Sequence, residues 1–174
     1  EGTTRLVKII SERSKFLGVR GYYTAYVLND MGIKNVRPVG CPSMYWTQEP
    51  AMKIHKKAFR DCKKFTLNGS TNVVSHSSDM DNAQRVEHWL ARLSYQHQYP
   101  YILQNELYEM KILQGTTYEP LLLSNLKKIH GLTDISSQVF EKHIKNNMRV
   151  FFDIASWMRF ISEFDFVLGT RFHG

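Results

Sequence analysis

Residues 149–174 read RVFFDIASWMRFISEFDFVLGTRFHG, and the reading of this stretch decides the fold. Arg149 to Phe152 is a short apolar run of strand type. Ile154, Trp157, Met158 and Ile161 then recur at the spacing of one helical face, and Phe164 to Gly169 is a second apolar run. Strand, helix and strand in close succession cannot form a hairpin, so the two strands are expected to lie parallel with the helix as crossover. Just past the second strand come Gly169, Thr170, Arg171 and His173. In sheets of this kind ligands bind where strands end, so this exit is the first place to look for chemistry.

The same alternation extends toward the N-terminus. Leu6, Ile9, Ile10 and Arg13 suit a helix, Phe16 to Val19 a short strand, and Tyr22 to Met31 a second helix closed by Gly32. Asn35 to Val39 is a further strand, stopped by the turn residues Gly40-Cys41-Pro42-Ser43. Residues 44–64 read as a connection, with Ile54, Ala58, Cys62 and Phe65 near helical spacing and Cys62 expected in the core. Beyond it, Asn72 to Ser75 is a strand candidate. Asp81 to Gln96 is a helix with Val86, Trp89, Leu90 and Leu93 on one face, and Asp81 with Gln84 resembles a capping box. Tyr101 to Gln104 reads as a strand, Asn105 to Leu113 as a helix, and Leu121 to His130 as a helix ended by Gly131. Short apolar strands separated by helices give an α/β fold with a parallel sheet covered on both faces.

Composition narrows the function classes. Of 174 residues, 43% are hydrophobic and 22% charged, so the chain can build a core and is not disordered. Its longest apolar runs fall far short of the ~20 residues a membrane span needs, and no leader pattern opens the chain. Two cysteines, Cys41 and Cys62, make neither a disulfide framework nor a zinc site, which suits a cytoplasmic protein. The chain begins at Glu1 and stops at Gly174 just after a strand, which is expected of a piece of a longer protein. The net charge of +7 favours acidic partners. Residues 53–64 carry six basic side chains against Asp61 alone. This stretch is either a solvated helix face or a surface for phosphates or for peripheral contact with the inner face of an anionic membrane.

Several residues are candidates for chemistry. A helix starting after Gly169 would offer free N–H groups to an anion, Arg171 would add a fork matched to phosphate or carboxylate, and His173 would move a proton near neutral pH. Arg20 follows the strand Phe16 to Val19 in the same way. Gln104, Asn105 and Glu106 follow another strand and are placed to reach a sugar. His76, Asp79 and Asp81 are metal-ligand types, but the aspartates are better explained as helix-start residues, so no metal site is expected. Phosphate-loop, zinc-protease and serine-elbow motifs are absent, and the aromatic residues sit at core spacing rather than as a platform for nucleic acid bases.

The segment Val19-Arg20-Gly21-Tyr22-Tyr23-Thr24, the turn Gly40-Cys41-Pro42-Ser43 and the run Gly169-Thr170-Arg171-Phe172-His173-Gly174 together resemble motifs of the polysaccharide pyruvyl transferase family, in the same order. Phe151-Phe152-Asp153-Ile154 precedes the last of them, as in that family. The resemblance spans the whole chain and the middle of the family's usual length. It implies a GT-B-like architecture of two Rossmann-like domains, with residues 1–45 the end of the first, 46–64 a basic connection and 65–174 the truncated second. It also implies transfer of a pyruvyl group from phosphoenolpyruvate to a sugar of a cell-surface polysaccharide or its precursor, free or lipid-linked, commonly as a ketal and with no cofactor. The family's roles carry over to Arg171 and His173 as catalytic residues, and to Arg20, Arg171, Gly169 and Thr170 at the donor. Gly21 stands where many members have an acidic residue. Rival readings are a GT-B glycosyltransferase using a nucleotide sugar, a module binding anionic polymer, and a fragment inactive by itself.

Overall fold

The computed structural model describes residues 2–46, 56–70, 72–104, 107–115 and 119–170, and the chain forms two compact units, Glu1–His55 and Lys56–Gly174. In the first unit, helix α1 (Gly2–Glu12) leads to strand β1 (Leu17–Val19), helix α2 (Tyr22–Asp30) and strand β2 (Val36–Pro38). The two strands pair in parallel, Leu17 opposite Val36 and Val19 opposite Pro38. Asn35 fixes this pairing from one end: its amide donates to the carbonyls of Ser11 and Ser14 at 3.0 Å each, and the Ser11 hydroxyl donates back to its Oδ1. Ala25 and Ile33 are the buried apolar residues of this unit.

The second unit carries strands β3 (Phe65–Gly69), β4 (Tyr101–Leu103), β5 (Met148–Arg149) and β6 (Phe166–Gly169). All pair in parallel, in the order β5-β4-β3-β6. Its helices are the single turn α3 (Asn72–Ser75), then α4 (Met80–His97), α5 (Leu107–Leu113), α6 (Pro120–Ile129), α7 (Ser137–Asn147) and α8 (Ile154–Ser162). Side chains on a strand alternate between faces. Leu67, Tyr101 and Leu103 therefore point to one face, where they join Leu90 and Ala91 of α4, Leu122, Leu123 and Leu126 of α6, and Phe140 and Ile144 of α7 in one core. Ile102 turns to the other face, which α8 approaches: Ile102, Ile154 and Trp157 line one cleft.

Several elements differ from the sequence reading, each for an identifiable reason. Asn72 to Ser75 is a helical turn, not a strand; the strand is Phe65–Gly69 just before it. Residues 56–58 have no regular secondary structure and Phe59–Asp61 is a 3₁₀ turn, so the basic connection is not an α-helix over its described part. The apolar spacing of Ala58, Cys62 and Phe65 arises otherwise. Phe59 packs edge-on against Phe65 and Phe166, with centroids 5.9 and 5.2 Å away. Cys62 is half-buried beside β6 rather than in a core helix face. The cap of α4 is Asp79, which accepts from the Asn82 N–H at 2.9 Å, and not a box of Asp81 and Gln84. Its buried stripe is Glu87, Leu90, Ala91 and Ser94, leaving Trp89 54% exposed. Small residues at 91 and 94 let the helix sit close on the sheet, and the Ser94 hydroxyl donates to the Tyr99 carbonyl at 2.7 Å. Helix α7 had no counterpart in the sequence reading.

Two histidines lie inside this core. Burial, with the charges of His143 and His88 adding to it, pushes His130 down to about 4, and burial alone does the same to His143. The unfolded chain binds protons on these residues near the ordinary value of ~6.5, whereas the folded protein does not. Their penalty is absent above that pH and grows as pH falls toward 4. The carboxylates held low by Arg92 (Asp134), by the Ser156 N–H (Asp153) and by Lys57 (Asp165) titrate below this window. Urea midpoints measured from pH 7.5 to 4.5 should therefore fall steadily, and His130→Gln should flatten the fall even if it lowers the plateau. A flat wild-type profile would contradict neutral burial.

Candidate functional site

From β3 the chain steps outward to β4 and β5, then returns to lay β6 on the other side of β3. This reversal places a topological switch point between the carboxyl ends of β3 and β6, where doubly wound sheets open a crevice for ligands. A buried carboxylate occupies the position. Glu87, 4% exposed, reaches from α4 to the strand ends. Its Oε2 accepts from the backbone N–H of Ser70, just after β3, at 3.1 Å and from the Tyr101 hydroxyl at 3.2 Å. Its Oε1 accepts from the hydroxyl of Thr170, the residue just after β6. One acceptor thus ties the residues that follow β3 and β6 to the first residue of β4.

Two glycines make room for this. A Cβ on Gly69 would stand 1.9 Å from the Tyr101 hydroxyl and 2.5 Å from Glu87 Oε2. One on Gly169 would stand 2.2 Å from the Asn68 carbonyl oxygen, which also accepts from the Thr170 N–H at 3.2 Å. The side chain of Asn68 is wholly buried on β3, and among the described residues neither of its polar atoms has a partner. An amide left in that state costs free energy unless a ligand or water supplies the missing bonds.

The other sequence candidates fall in separate places. Gly169 and Thr170 lie at the switch point; Arg171 and His173, which follow them, lie outside the described residues. In the first unit, Arg20 leaves β1 and Gly40-Cys41-Pro42-Ser43 leaves β2, so the paired strands bring both motifs to one sheet edge. There the Cys41 thiol is held below its ordinary range by the Ser43 hydroxyl, which donates to Sγ at 3.2 Å, by the Ser43 backbone and by the Arg20 charge. Gln104 is set at the end of β4 in an open cleft of about 180 Å³ lined also by Phe151, Phe152, Asp153, Ile154 and Trp157. Asn105 and Glu106 lie outside the described residues. Asp79 serves as a helix cap. In the basic stretch, Lys57 is engaged with Asp165 at 2.8 Å, while Lys56, Arg60, Lys63 and Lys64 are exposed.

Comparison with protein families matches residues 1–174 to the polysaccharide pyruvyl transferase family. The chain belongs to that family. Neither the curated proteins nor the solved structures include a match to it. Membership makes the protein a transferase, acting in pyruvyl transfer during polysaccharide biosynthesis. Among the described residues no helix is long and apolar enough to cross a membrane.

The transferase's switch point shows what the motif reading overlooked: Glu87, Tyr101, Ser70 and Gly69. A signal for Glu87 was present, since it is in phase with Leu90, Ala91 and Ser94, the stripe that faces the sheet. An acid in line with a small, apolar stripe and aimed at strand ends is a better site marker than the bulky residues Val86 and Trp89. Replacing Gly69 by Ala should force apart the Tyr101 and Glu87 contacts and lower stability by ~1–3 kcal/mol, typical of overpacking. Urea denaturation checks this. An unchanged Gly69→Ala midpoint would mean the three groups do not meet.

Proposed function

We propose that the transferase takes its pyruvyl group from phosphoenolpyruvate and closes it as a ketal on a saccharide. The observation that supports this reading is order along the chain: in sequence, Arg171 and His173 come just after Thr170, the residue that follows the strand ending at the switch point. Phosphoenolpyruvate bears a phosphate and a carboxylate, and arginine matches each with a planar pair of donors. Arg171 and Arg20 are the proposed donor ligands, with Gly169 and Thr170 supplying backbone close to Arg171. Arginine charge is enough for this role, and the scheme asks for no metal.

In the proposed reaction His173, as imidazolium, gives a proton to the methylene carbon of the donor. The adjacent carbon becomes electrophilic and a sugar hydroxyl adds to it, losing its proton to the neutral histidine. Phosphate then leaves with the electrons of its C–O bond, and a second sugar hydroxyl adds to the same carbon to close the ketal. The products are the ketal and inorganic phosphate, with one hydroxyl proton passed to phosphate or solvent.

The cleft at the ends of β4 and β5 supports a saccharide acceptor. Phe152 is 80% exposed there, and the Trp157 indole N–H is buried with no partner among the described residues. Aromatic faces suit the apolar face of a sugar ring, while Gln104 and Asp153 offer hydrogen bonds to its hydroxyls. The GT-B arrangement of two Rossmann-like halves belongs to the same proposal.

Phosphate release from phosphoenolpyruvate by the full-length protein, assayed over a panel of saccharides, tests the reading. Release should require an acceptor, and His173→Ala should lower kcat by ~10²–10⁴-fold, the usual range for a general acid or base. Wild-type activity in His173→Ala would remove the histidine from the scheme. Binding of a nucleotide sugar with no response to phosphoenolpyruvate would replace the scheme by glycosyl transfer.

A further inference from the structure

We propose that Glu87 is a positioning residue of the transferase: through Thr170 it fixes the end of β6, next in sequence to Arg171. The proposal deepens the donor reading above and rests on it for its kinetic consequence. Its structural part stands on four observations. Glu87 is 4% exposed, yet it lies on α4, an element that contributes no other group to the strand ends described here. It accepts from donors on three separate segments, the Ser70 N–H, the Tyr101 hydroxyl and the Thr170 hydroxyl. Gly69 leaves open the space that Glu87 and Tyr101 fill. Finally, Ser70 and Thr170 directly follow β3 and β6, the two strands between which the order reverses.

A buried carboxylate is a costly choice for holding a fold together, because an apolar side chain would pack with no desolvation penalty. Its advantage is directional. A carboxylate accepts only, so all three neighbours must turn their protons toward it. The Thr170 hydroxyl is consequently committed as a donor to Glu87. Gly169 contributes by pressing β6 onto the Asn68 backbone, so that the Thr170 N–H is also fixed. Both the hydroxyl and the amide of Thr170 are then constrained, and the next residue in sequence is Arg171. Error in an arginine's approach to a bidentate anion lowers binding sharply, because both hydrogen bonds depend on one plane.

The test uses the full-length protein with Thr170→Val, Thr170→Ser, Glu87→Gln and the double variant Glu87→Gln/Thr170→Val. Valine keeps the shape of threonine and deletes the donor; serine restores it. Thr170→Val is expected to raise KM for phosphoenolpyruvate by ~10-fold or more, the usual value of a hydrogen bond to a charged group. Its urea midpoint should fall as well, because Glu87 Oε1 loses a donor inside the protein, and Thr170→Ser should recover most of both the wild-type midpoint and the wild-type KM. The double variant should be no worse than the poorer single, since both break one link. Wild-type KM in Thr170→Val, or failure of serine to rescue, would overturn the proposal. Hydrogen exchange separates this from failure of the donor reading. If the wild type does not turn over phosphoenolpyruvate, Glu87→Gln should still speed exchange in the segment 169–174 by ~10-fold while sparing 101–104. Unchanged exchange at 169–174 would overturn the positioning role independently of any substrate.

Discussion

The second unit depends on one buried acceptor that joins the ends of β3 and β6 to the first residue of β4. Remove Glu87 in thought and the Ser70 N–H, the Tyr101 hydroxyl and the Thr170 hydroxyl each lose this acceptor. Buried donors without acceptors cost ~1–3 kcal/mol apiece. The glycines are consequences of the same constraint. Gly69 is bare because Tyr101 and Glu87 need its space, and Gly169 is bare because β6 must approach the Asn68 backbone. The carboxyl ends of β3 and β6 are thus held by polar bonds and close approach.

At the opposite end of the sheet the physics differs. Asp165, just before β6, takes the Lys57 ammonium at 2.8 Å and the backbone N–H groups of Lys63 and Lys64 at 2.8 and 3.0 Å. Those donors hold its carboxyl well below the ordinary carboxylate range. Phe59, Phe65, Phe166 and Tyr99 stack around the same end. The connection entering β3 is therefore pinned by an aromatic cluster and one carboxylate, leaving the other end free for a ligand. This division of labour is ordinary for parallel α/β sheets, whose amino ends serve stability and whose carboxyl ends serve chemistry.

Much of this was legible in the sequence where the signal was local. Arg149 to Gly169 gave strand, helix and strand because apolar runs and helical spacing alternate without ambiguity, and Gly32 and Gly131 marked helix ends with backbones that are left-handed at φ 87° and 62°. The motifs carrying Arg20 and Gly169-Thr170 were recognisable as strand exits for the same reason. What stayed hidden was nonlocal. The strand Phe65–Gly69 contains Thr66 and Asn68, which blur an apolar run; Thr66 is buried because its hydroxyl donates to the Pro100 carbonyl at 3.1 Å. Helix α4 was found but rotated, since Trp89 and Val86 look more like core than Glu87 and Ser94 do. The sheet rather than hydrophobicity chooses that face: small residues allow contact, and the one acid is wanted at the strand ends.

The central claim is that an anionic donor sits at the switch point between β3 and β6. Hydrogen exchange of the full-length protein with and without phosphoenolpyruvate tests it most directly, by where protection appears. The account predicts protection concentrated at residues 69–72 and 169–174, with the cleft segments 103–106 and 151–154 unchanged until a saccharide is added. Protection at those cleft segments alone, or none at any strand end, would contradict it.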